Sequence, residues 1–301
     1  MSRGTATQNK VEHLLTEEER AEFDERGFLY IRGALSPDQV DRYMELHDRV
    51  YEEERAAGRL APAGGLTNRS GAMHSFAFVL KDPAFLELLD LPTTFPKIWG
   101  LLGWNIYMYH SHIDRHPPLP EPLPPSWGWH QDGGRQNLEI ETEPVRPRLS
   151  VKLAYWLSDV SEPGRGNFMV IPGSHLRNRI PRPEHPELGF EQPEGAIQIT
   201  AKPGDAVLFD RRLWHSRSDN LSQVTRNACF TGYTYRWIRA RDDYPIDWES
   251  EPYRSLSPVR KQLLGWGLDA NSHWALGTDT YPLREELRAA GLLDPNVSNQ
   301  R

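Results

Sequence analysis

The sequence predicts a mainly β fold with flanking helices, in which short strands form a double-sheet barrel of the jelly-roll kind. Short apolar runs rich in β-branched and aromatic residues crowd the second half of the chain. Turn signals such as Pro172-Gly173-Ser174 and Pro203-Gly204-Asp205 separate them. Many short strands with turns of this type are typical of two-sheet barrels. We expect strands at 149–157, 168–171, 196–200, 205–209, 213–217 and 226–237.

Helix signals flank these strands. The capping-box pattern that begins at Thr16 predicts a helix to Gly27, followed by a strand over 28–31. Ser36 before Pro37 opens a second helix, which should run to about residue 57. Residues 60–75 are rich in glycine and small residues and are expected to form a loop. Further helices are expected at 83–89, 96–102, 258–264 and 283–290, with a strand at 104–113 and a proline-rich irregular insertion at 117–125.

The length and composition predict one large domain with extensions. A chain of 301 residues with 38% hydrophobic content is long enough for a single sizeable core. We expect a flexible tail over 1–14, the barrel domain with its N-terminal helices over 15–238, and a C-terminal helical extension over 239–301 that packs on the barrel.

The charge and the cysteine count limit the partners. A formal charge of -7 and a pI near 5.9 argue against a nucleic-acid or anionic-membrane surface, so a small-molecule partner is expected. Cys229 is the only cysteine, which fits a reducing compartment. The first ten residues are polar, and no stretch approaches the roughly 20 apolar residues that span a bilayer. The sequence therefore predicts a cytoplasmic protein.

The stretch Trp127-Gly128-Trp129-His130-Gln131-Asp132 carries the strongest chemical signal. In a strand, a histidine and a carboxylate two positions apart project from the same face. Together with one distant histidine they would form the two-histidine, one-carboxylate site that suits Fe(II). Spacing alone does not select this pair, because His112-Ile113-Asp114 has the same pattern.

The third ligand is expected at His215. The run from Lys202 to His215 places this histidine at the end of a predicted strand pair. Arg226 then opens a strongly apolar strand, where an inward-facing arginine would be costly unless it met a carboxylate. Its planar fork binds a carboxylate bidentately, as the remote end of a 2-oxo diacid requires.

These motifs, taken in order, resemble the phytanoyl-CoA dioxygenase family. The resemblance rests on Gly-Trp-His130-Gln-Asp132, the run Gly166-Asn167-Phe168-Met169-Val170-Ile171-Pro172-Gly173-Ser174-His175, and Pro203-Gly204-Asp205 leading to His215 and Arg226, over roughly residues 15–238. It implies a double-stranded β-helix fold, cupin-like in shape, and an Fe(II)- and 2-oxoglutarate-dependent dioxygenase that consumes O2.

The resemblance also implies residue roles. His130, Asp132 and His215 would bind iron and act in catalysis, and Arg226 would bind 2-oxoglutarate. Tyr155 and His112 would line the co-substrate pocket. The residues that flank the ligands are candidates for contacting the substrate, although alternate positions on a strand must face away from the iron: Trp127, Trp129, Gln131, Arg135, Gln136 and Trp214.

The reaction expected from the resemblance is hydroxylation of an unactivated C–H bond in a small molecule, with release of succinate and CO2. The substrate would be a natural-product intermediate, an amino-acid derivative or an acyl compound. Asp132 favours hydroxylation, because halide-transferring relatives have a small residue there. Desaturation, epoxidation and cyclisation stay open with the same cofactor chemistry. A cupin-like non-oxidative metalloenzyme and a non-catalytic binding module are the alternatives from other classes.

Overall fold

The computed structural model describes residues 13–60, 71–133, 147–242, 244–267 and 281–293. Within them, the helices are α1 (Glu17–Arg26), α2 (Pro37–Ala56), α3 (Phe95–Leu102), α4 (Pro258–Leu263) and α5 (Pro282–Ala289). The strands are β1 (Phe28–Ile31), β2 (Met73–Phe76), β3 (Ile106–His116), β4 (Ser150–Trp156), β5 (Phe168–Val170), β6 (Ile197–Gln198), β7 (Ala206–Asp210), β8 (His215–Arg217) and β9 (Arg226–Tyr235). The capping box at Ser36 is present, because its side chain accepts from Gln39 N at 3.2 Å.

The strands form two sheets. The larger has the order β1-β7-β4-β9-β3-β2 and the smaller the order β6-β5-β8. The pairs β1–β7, β4–β7, β2–β3, β5–β6 and β5–β8 are antiparallel. The predicted mainly β fold with flanking helices is confirmed.

Side chains from both sheets share one apolar core. Ala154 and Trp156 of β4 pack with Phe209 of β7, Phe230 of β9 and Phe168 of β5. The buried members of β4, β7 and β9 in this core alternate with period two, as expected when one face of each strand is turned to the interior. This inward face also carries the charged residues described below.

The described residues divide into two compact units, one from 17–76 and 112–230, the other from 1–16, 77–111 and 231–301. In the second unit, the buried Gln262 of α4 donates to the carbonyls of Trp104 and Ile106, each at 3.0 Å. Tyr233 donates to Leu89 O at 2.9 Å. The domain boundaries at residues 15 and 238 stay a prediction.

One local prediction was wrong in detail. The end of the stretch 60–75 is not a loop, since Met73–Phe76 forms β2 and pairs His74 with Asp114 and Phe76 with His112 across β3. Buried and exposed residues alternate along β2, but a run of four residues was too short for this alternation to be recognised in the sequence. The short helix predicted over 83–89 is present as a 3-10 helix, Pro83–Leu89. Among the described residues, we find no helix with the length and apolarity to cross a membrane, and the cytoplasmic location stays a prediction.

A buried ion pair fixes the turn between β7 and β8. Asp210 is fully buried and accepts from Arg212 Nε at 2.9 Å, Arg212 Nη2 at 2.8 Å and the Arg212 backbone N at 2.9 Å. Arg148 Nε adds a contact at 3.4 Å. Burial opposes ionisation of Asp210, but the Arg212 guanidinium outweighs it and holds the pKa below its usual range. The turn that leads into His215 therefore depends on this carboxylate.

We expect Asp210→Ala to lower the free energy of unfolding by about 3 kcal/mol, because it leaves Arg212 buried without its partner. The matched control is Asp24→Ala, which removes the exposed partner of Arg148 and should cost less than about 1 kcal/mol. The pKa of Asp210 is lower in the folded chain, so its contribution is present at neutral pH and is lost as the pH falls below about 3.9. Urea denaturation at pH 7 and at acid pH measures both effects, and equal losses for the two variants would contradict the assignment.

Candidate active site

His130 and His215 are joined by their own backbones. His130 N donates to His215 O at 3.0 Å and His215 N donates to His130 O at 2.9 Å, so the two residues form an antiparallel bridge. Their rings lie side by side with centroids 4.3 Å apart. This bridge brings together two histidines that are distant in the chain, as the sequence predicted.

The two histidines are oriented in the same way. His130 Nδ1 lies 2.8 Å from Gly128 O, and His215 Nδ1 lies 2.7 Å from Leu213 O, so each ring is bonded to the carbonyl two residues before it. A carbonyl only accepts, so Nδ1 carries the hydrogen and Nε2 keeps its lone pair. The position of Gly128 is also restricted, because an added Cβ would lie 2.8 Å from Ser216 Oγ.

Asp132 completes the cluster. One ligand atom from each of His130, Asp132 and His215 lies within 4.8 Å of the others, and His215 Nε2 is 3.8 Å from Asp132 Oδ2. Two atoms that each lie about 2.1 Å from the same ion are roughly 3 to 4 Å apart. The separation between His215 Nε2 and Asp132 Oδ2 therefore leaves space for a metal ion between these two atoms. The donor set, two neutral imidazoles and one carboxylate, is the set that suits Fe(II).

Lys152 is a site residue that sequence reasoning missed. Its Nζ lies 2.8 Å from Asp132 Oδ2, and its side chain is 5% exposed. Burial opposes ionisation of Asp132, but Lys152 and the two histidines outweigh it and hold the pKa well below its usual range. Burial and the neighbouring His130 lower the pKa of His215 to about 4, so this ring is neutral at pH 7. The signal that could have revealed Lys152 is a lysine inside an otherwise apolar strand.

Arg226 faces the interior, as predicted, and pairs with a carboxylate of the chain itself. Arg226 is 2% exposed, and its Nη1 lies 3.2 Å from Asp114 Oδ2. Its guanidinium carbon lies 5.4 Å from the ring centroid of Phe230, which in turn stacks on His112 at 4.5 Å. Among the described residues, none accepts a hydrogen bond from Arg226 Nε.

The competing motif His112-Ile113-Asp114 also gains a third member, His74 of β2. Ligand atoms of these three residues lie within 4.8 Å of one another. However, His74 Nδ1 is only 2.5 Å from Asp114 Oδ1, a hydrogen-bond distance that leaves no space for an ion between the two atoms. The two clusters therefore share a composition but differ in geometry.

The structure does not bring Tyr155 to the triad. Because side chains alternate along β4, Lys152, Ala154 and Trp156 share the inward face. Tyr155 lies on the opposite face. Trp156 is fully buried, and no described residue accepts a hydrogen bond from its Nε1. The role predicted for Tyr155 beside 2-oxoglutarate therefore stays a prediction.

Four of the substrate candidates are held by contacts away from the triad. Trp129 Nε1 donates to Gln192 at 2.9 Å, and Trp214 Nε1 donates to Arg177 O at 3.1 Å. Gln131 Nε2 also donates to Arg177 O, at 2.9 Å, and Trp127 packs on Phe190 at 5.2 Å between ring centroids. The candidates Arg135 and Gln136 lie outside the described residues.

A two-sheet β fold that brings two histidines and one carboxylate together in one cluster has the form of a non-haem iron oxygenase. Comparison with known proteins agrees. The family model described as phytanoyl-CoA dioxygenase (PhyH) matches residues 23–228. The chain is 22% identical to the peroxisomal phytanoyl-CoA dioxygenase of Mus musculus over 239 residues, 72% of this chain and 67% of the mouse protein.

Two further proteins are similar. The ectoine dioxygenase of Nocardia farcinica is 26% identical over 238 residues, 71% of this chain and 76% of that protein. The crystal structure of HygX from Streptomyces hygroscopicus with nickel and 2-oxoglutarate superposes with a TM-score of 0.58 at 18% identity, and covers 77% of this chain and 91% of HygX.

The chain belongs to the phytanoyl-CoA dioxygenase family, because the family model matches more than half of it. It is an Fe(II)- and 2-oxoglutarate-dependent dioxygenase that uses O2. The enzyme class and the cofactors predicted from the sequence are therefore confirmed.

We expect Lys152→Met to lower the free energy of unfolding of the metal-free protein by about 3 kcal/mol, because Asp132 would stay buried without its cation. The control Lys202→Met changes an exposed lysine and should stay within about 0.5 kcal/mol of wild type. In the double variant with Asp132→Asn, the loss should be smaller than the sum of the single losses, since neither charge is left alone. Additive losses in urea denaturation would show that the two groups do not interact.

Proposed function

We propose that this enzyme hydroxylates an unactivated C–H bond of a small molecule, and that His130, Asp132 and His215 hold its iron while Arg226 binds the 5-carboxylate of 2-oxoglutarate. The observation that carries the proposal is the convergence of the three ligand side chains within 4.8 Å. In the overall reaction, substrate C–H, 2-oxoglutarate and O2 give substrate C–OH, succinate and CO2.

The residues of the chain prepare the ligand set before any metal arrives. The carbonyls of Gly128 and Leu213 hold the two imidazoles with Nε2 available, so no rotation or tautomer change is needed. Lys152 keeps Asp132 ionised at neutral pH. Phe168 and Phe209 pack beside His215 at 5.3 Å and 5.7 Å between centroids and shield that side from water. Bound iron with 2-oxoglutarate supplies the activation of O2.

The polar groups on the inner faces of β3, β4 and β9 support a co-substrate pocket. Arg226 Nε is a buried donor that no described residue satisfies, and the same holds for Trp156 Nε1. Such donors are costly unless a ligand meets them. A dicarboxylate would supply the acceptor that Arg226 needs. His112 lies in the same region, stacked on Phe230, which supports its role as a lining residue.

The choice of hydroxylation rests on Asp132. A carboxylate at this position would hold the iron where a small residue would leave room for a halide. A small-molecule substrate is supported by related structures, since HygX is known with hygromycin B bound and EctD from S. alaskensis with 5-hydroxyectoine. Trp127, Trp129, Gln131 and Trp214 stay candidates for substrate contact, although their present contacts are structural.

We expect the metal-free protein, mixed anaerobically with Fe(II) and 2-oxoglutarate, to develop the weak visible charge-transfer band of a chelated keto acid. The band should be lost in His215→Ala and Asp132→Ala, since each removes a proposed ligand. It should be retained in His185→Ala, which changes an exposed histidine whose side chain lies beside Glu184 and Glu187. It should also be retained in His74→Ala. Loss of iron in His74→Ala with retention in His215→Ala would move the metal to the second cluster.

We expect Arg226→Ala to weaken the binding of 2-oxoglutarate roughly a hundredfold or more, because removing one member of a buried ion pair costs on the order of 3 kcal/mol. Arg226→Lys keeps the charge beside Asp114 and loses the planar fork, so it tests the same role with less risk to folding. The affinity for 2-oxopentanoate, which lacks the 5-carboxylate, should change little in either variant. A change below threefold for 2-oxoglutarate in Arg226→Ala would reject the assignment.

A further inference from the structure

Asp114 is a buried carboxylate that the proposed iron triad does not use. It is 7% exposed and lies on the inward face of β3 between His112 and His116. Its Oδ1 bonds His74 Nδ1 at 2.5 Å, and its Oδ2 lies 3.2 Å from Arg226 Nη1 and 3.7 Å from His116 Nε2. Burial opposes its ionisation, but the surrounding histidines outweigh this and hold the pKa of Asp114 well below its usual range.

The contacts of Asp114 make it part of a hydrogen-bond network rather than a metal site. Both of its oxygens already meet nitrogen atoms of the chain, and the shortest of these distances is too small to admit an ion. What the network does hold in place is the guanidinium of Arg226.

Arg226 is fixed on two sides. Asp114 contacts it at Nη1, and the ring of Phe230 lies beside its guanidinium carbon at 5.4 Å. A guanidinium offers a carboxylate two edges, and the side edge is formed by Nε and Nη2. Because Asp114 contacts Nη1, this side edge is left for a ligand, and Nε is the buried donor without an acceptor among the described residues.

We propose that Asp114 is a positioning residue for the co-substrate: it holds Arg226 through Nη1 so that the Nε edge receives the 5-carboxylate of 2-oxoglutarate. This inference rests on the proposed role of Arg226. Asp114 does not touch the co-substrate and acts only through the orientation of the guanidinium.

The surroundings of Asp114 reduce the repulsion between its charge and an incoming carboxylate. His74 Nδ1 and Arg226 Nη1 each bond one of its oxygens, which disperses the negative charge. Arg217 of β8 contacts His116 Nε2 from the same interior, so a second guanidinium lies close to the network. Arg217 is two residues beyond His215, on the same face of β8.

The test compares two keto acids by calorimetric titration of the Ni(II)-loaded protein, which binds ligand without turnover. We expect Asp114→Asn to weaken the binding of 2-oxoglutarate about tenfold or more. Changes to a residue that orients a binding group commonly have an effect of this size. The affinity for 2-oxopentanoate should stay within about twofold, because this acid has no carboxylate for Arg226 to bind. The matched control is Asp48→Asn, which removes the exposed partner of Arg115 on the other face of β3.

A second variant and a double-mutant cycle keep the proposal falsifiable. Asp114→Glu keeps the charge but moves the carboxylate by one methylene. Like Asp114→Asn, it should lower the preference for 2-oxoglutarate over 2-oxopentanoate. In an Arg226→Lys background, Asp114→Asn should have no further effect on that preference, because the fork it positions is gone. An independent, additive loss would overturn the proposal.

Three other results would also overturn it. Tighter binding of 2-oxoglutarate in Asp114→Asn would show that the carboxylate competes for Arg226 instead of positioning it. Equal weakening of both keto acids would indicate a general structural role, and an unchanged preference would indicate none. Failure of the proposed function gives a different result: the preference for 2-oxoglutarate would then survive in Arg226→Ala itself.

Discussion

The paired backbone hydrogen bonds between His130 and His215 are the contact on which the rest of the site depends. They extend into a short ladder, because Asp132 N donates to Arg211 O at 2.9 Å and Arg211 Nη1 donates to Asp132 O at 2.9 Å. Of the residues opposite this ladder, Arg211 lies within the turn that Asp210 and Arg212 hold together, and His215 follows it. The stability of that turn and the position of the proposed ligands are therefore coupled through the same backbone segment.

The interior of the barrel contains charged residues that the stability of the fold does not require. Lys152 with Asp132 and Arg226 with Asp114 are buried pairs on inward faces of the larger sheet or directly beside it. A buried ion pair contributes little or no net stability relative to apolar residues of the same size, because desolvation offsets the attraction. An apolar core would have served the fold equally well. In the proposed function, Asp132 and Arg226 bind ligands, and Lys152 and Asp114 balance their charges within the chain.

Local sequence signals were enough to predict most elements, but they did not choose between the two His-x-Asp pairs, and the three proposed ligands were selected by the order of motifs that resembles the family. The caps at Thr16 and Ser36, the Gly/Pro turns and the His-x-Asp spacing act over a few residues, and each leaves a readable pattern. The pairing of Arg226 with Asp114 left no such pattern, because it depends on β9 lying beside β3 in the sheet. Lys152 left a local signal, a lysine inside an otherwise apolar strand, but its partner Asp132 could not be read from that signal. The face of β4 on which Tyr155 lies left no such pattern either, since a shift of one position along a strand moves a side chain to the opposite face.

Two clusters of identical composition, on one chain, show what spacing leaves undetermined. His130 and His215 each bond Nδ1 to the carbonyl two residues earlier, so the backbone satisfies one nitrogen and leaves the other for a ligand. In the second cluster, His74 uses Nδ1 to bond Asp114 directly. Two potential ligands that are hydrogen-bonded to each other have already found partners, and a metal would have to break that bond before it could bind. The difference between a ligand-binding site and a structural network therefore lies in which atoms the local backbone occupies, rather than in which residues are present.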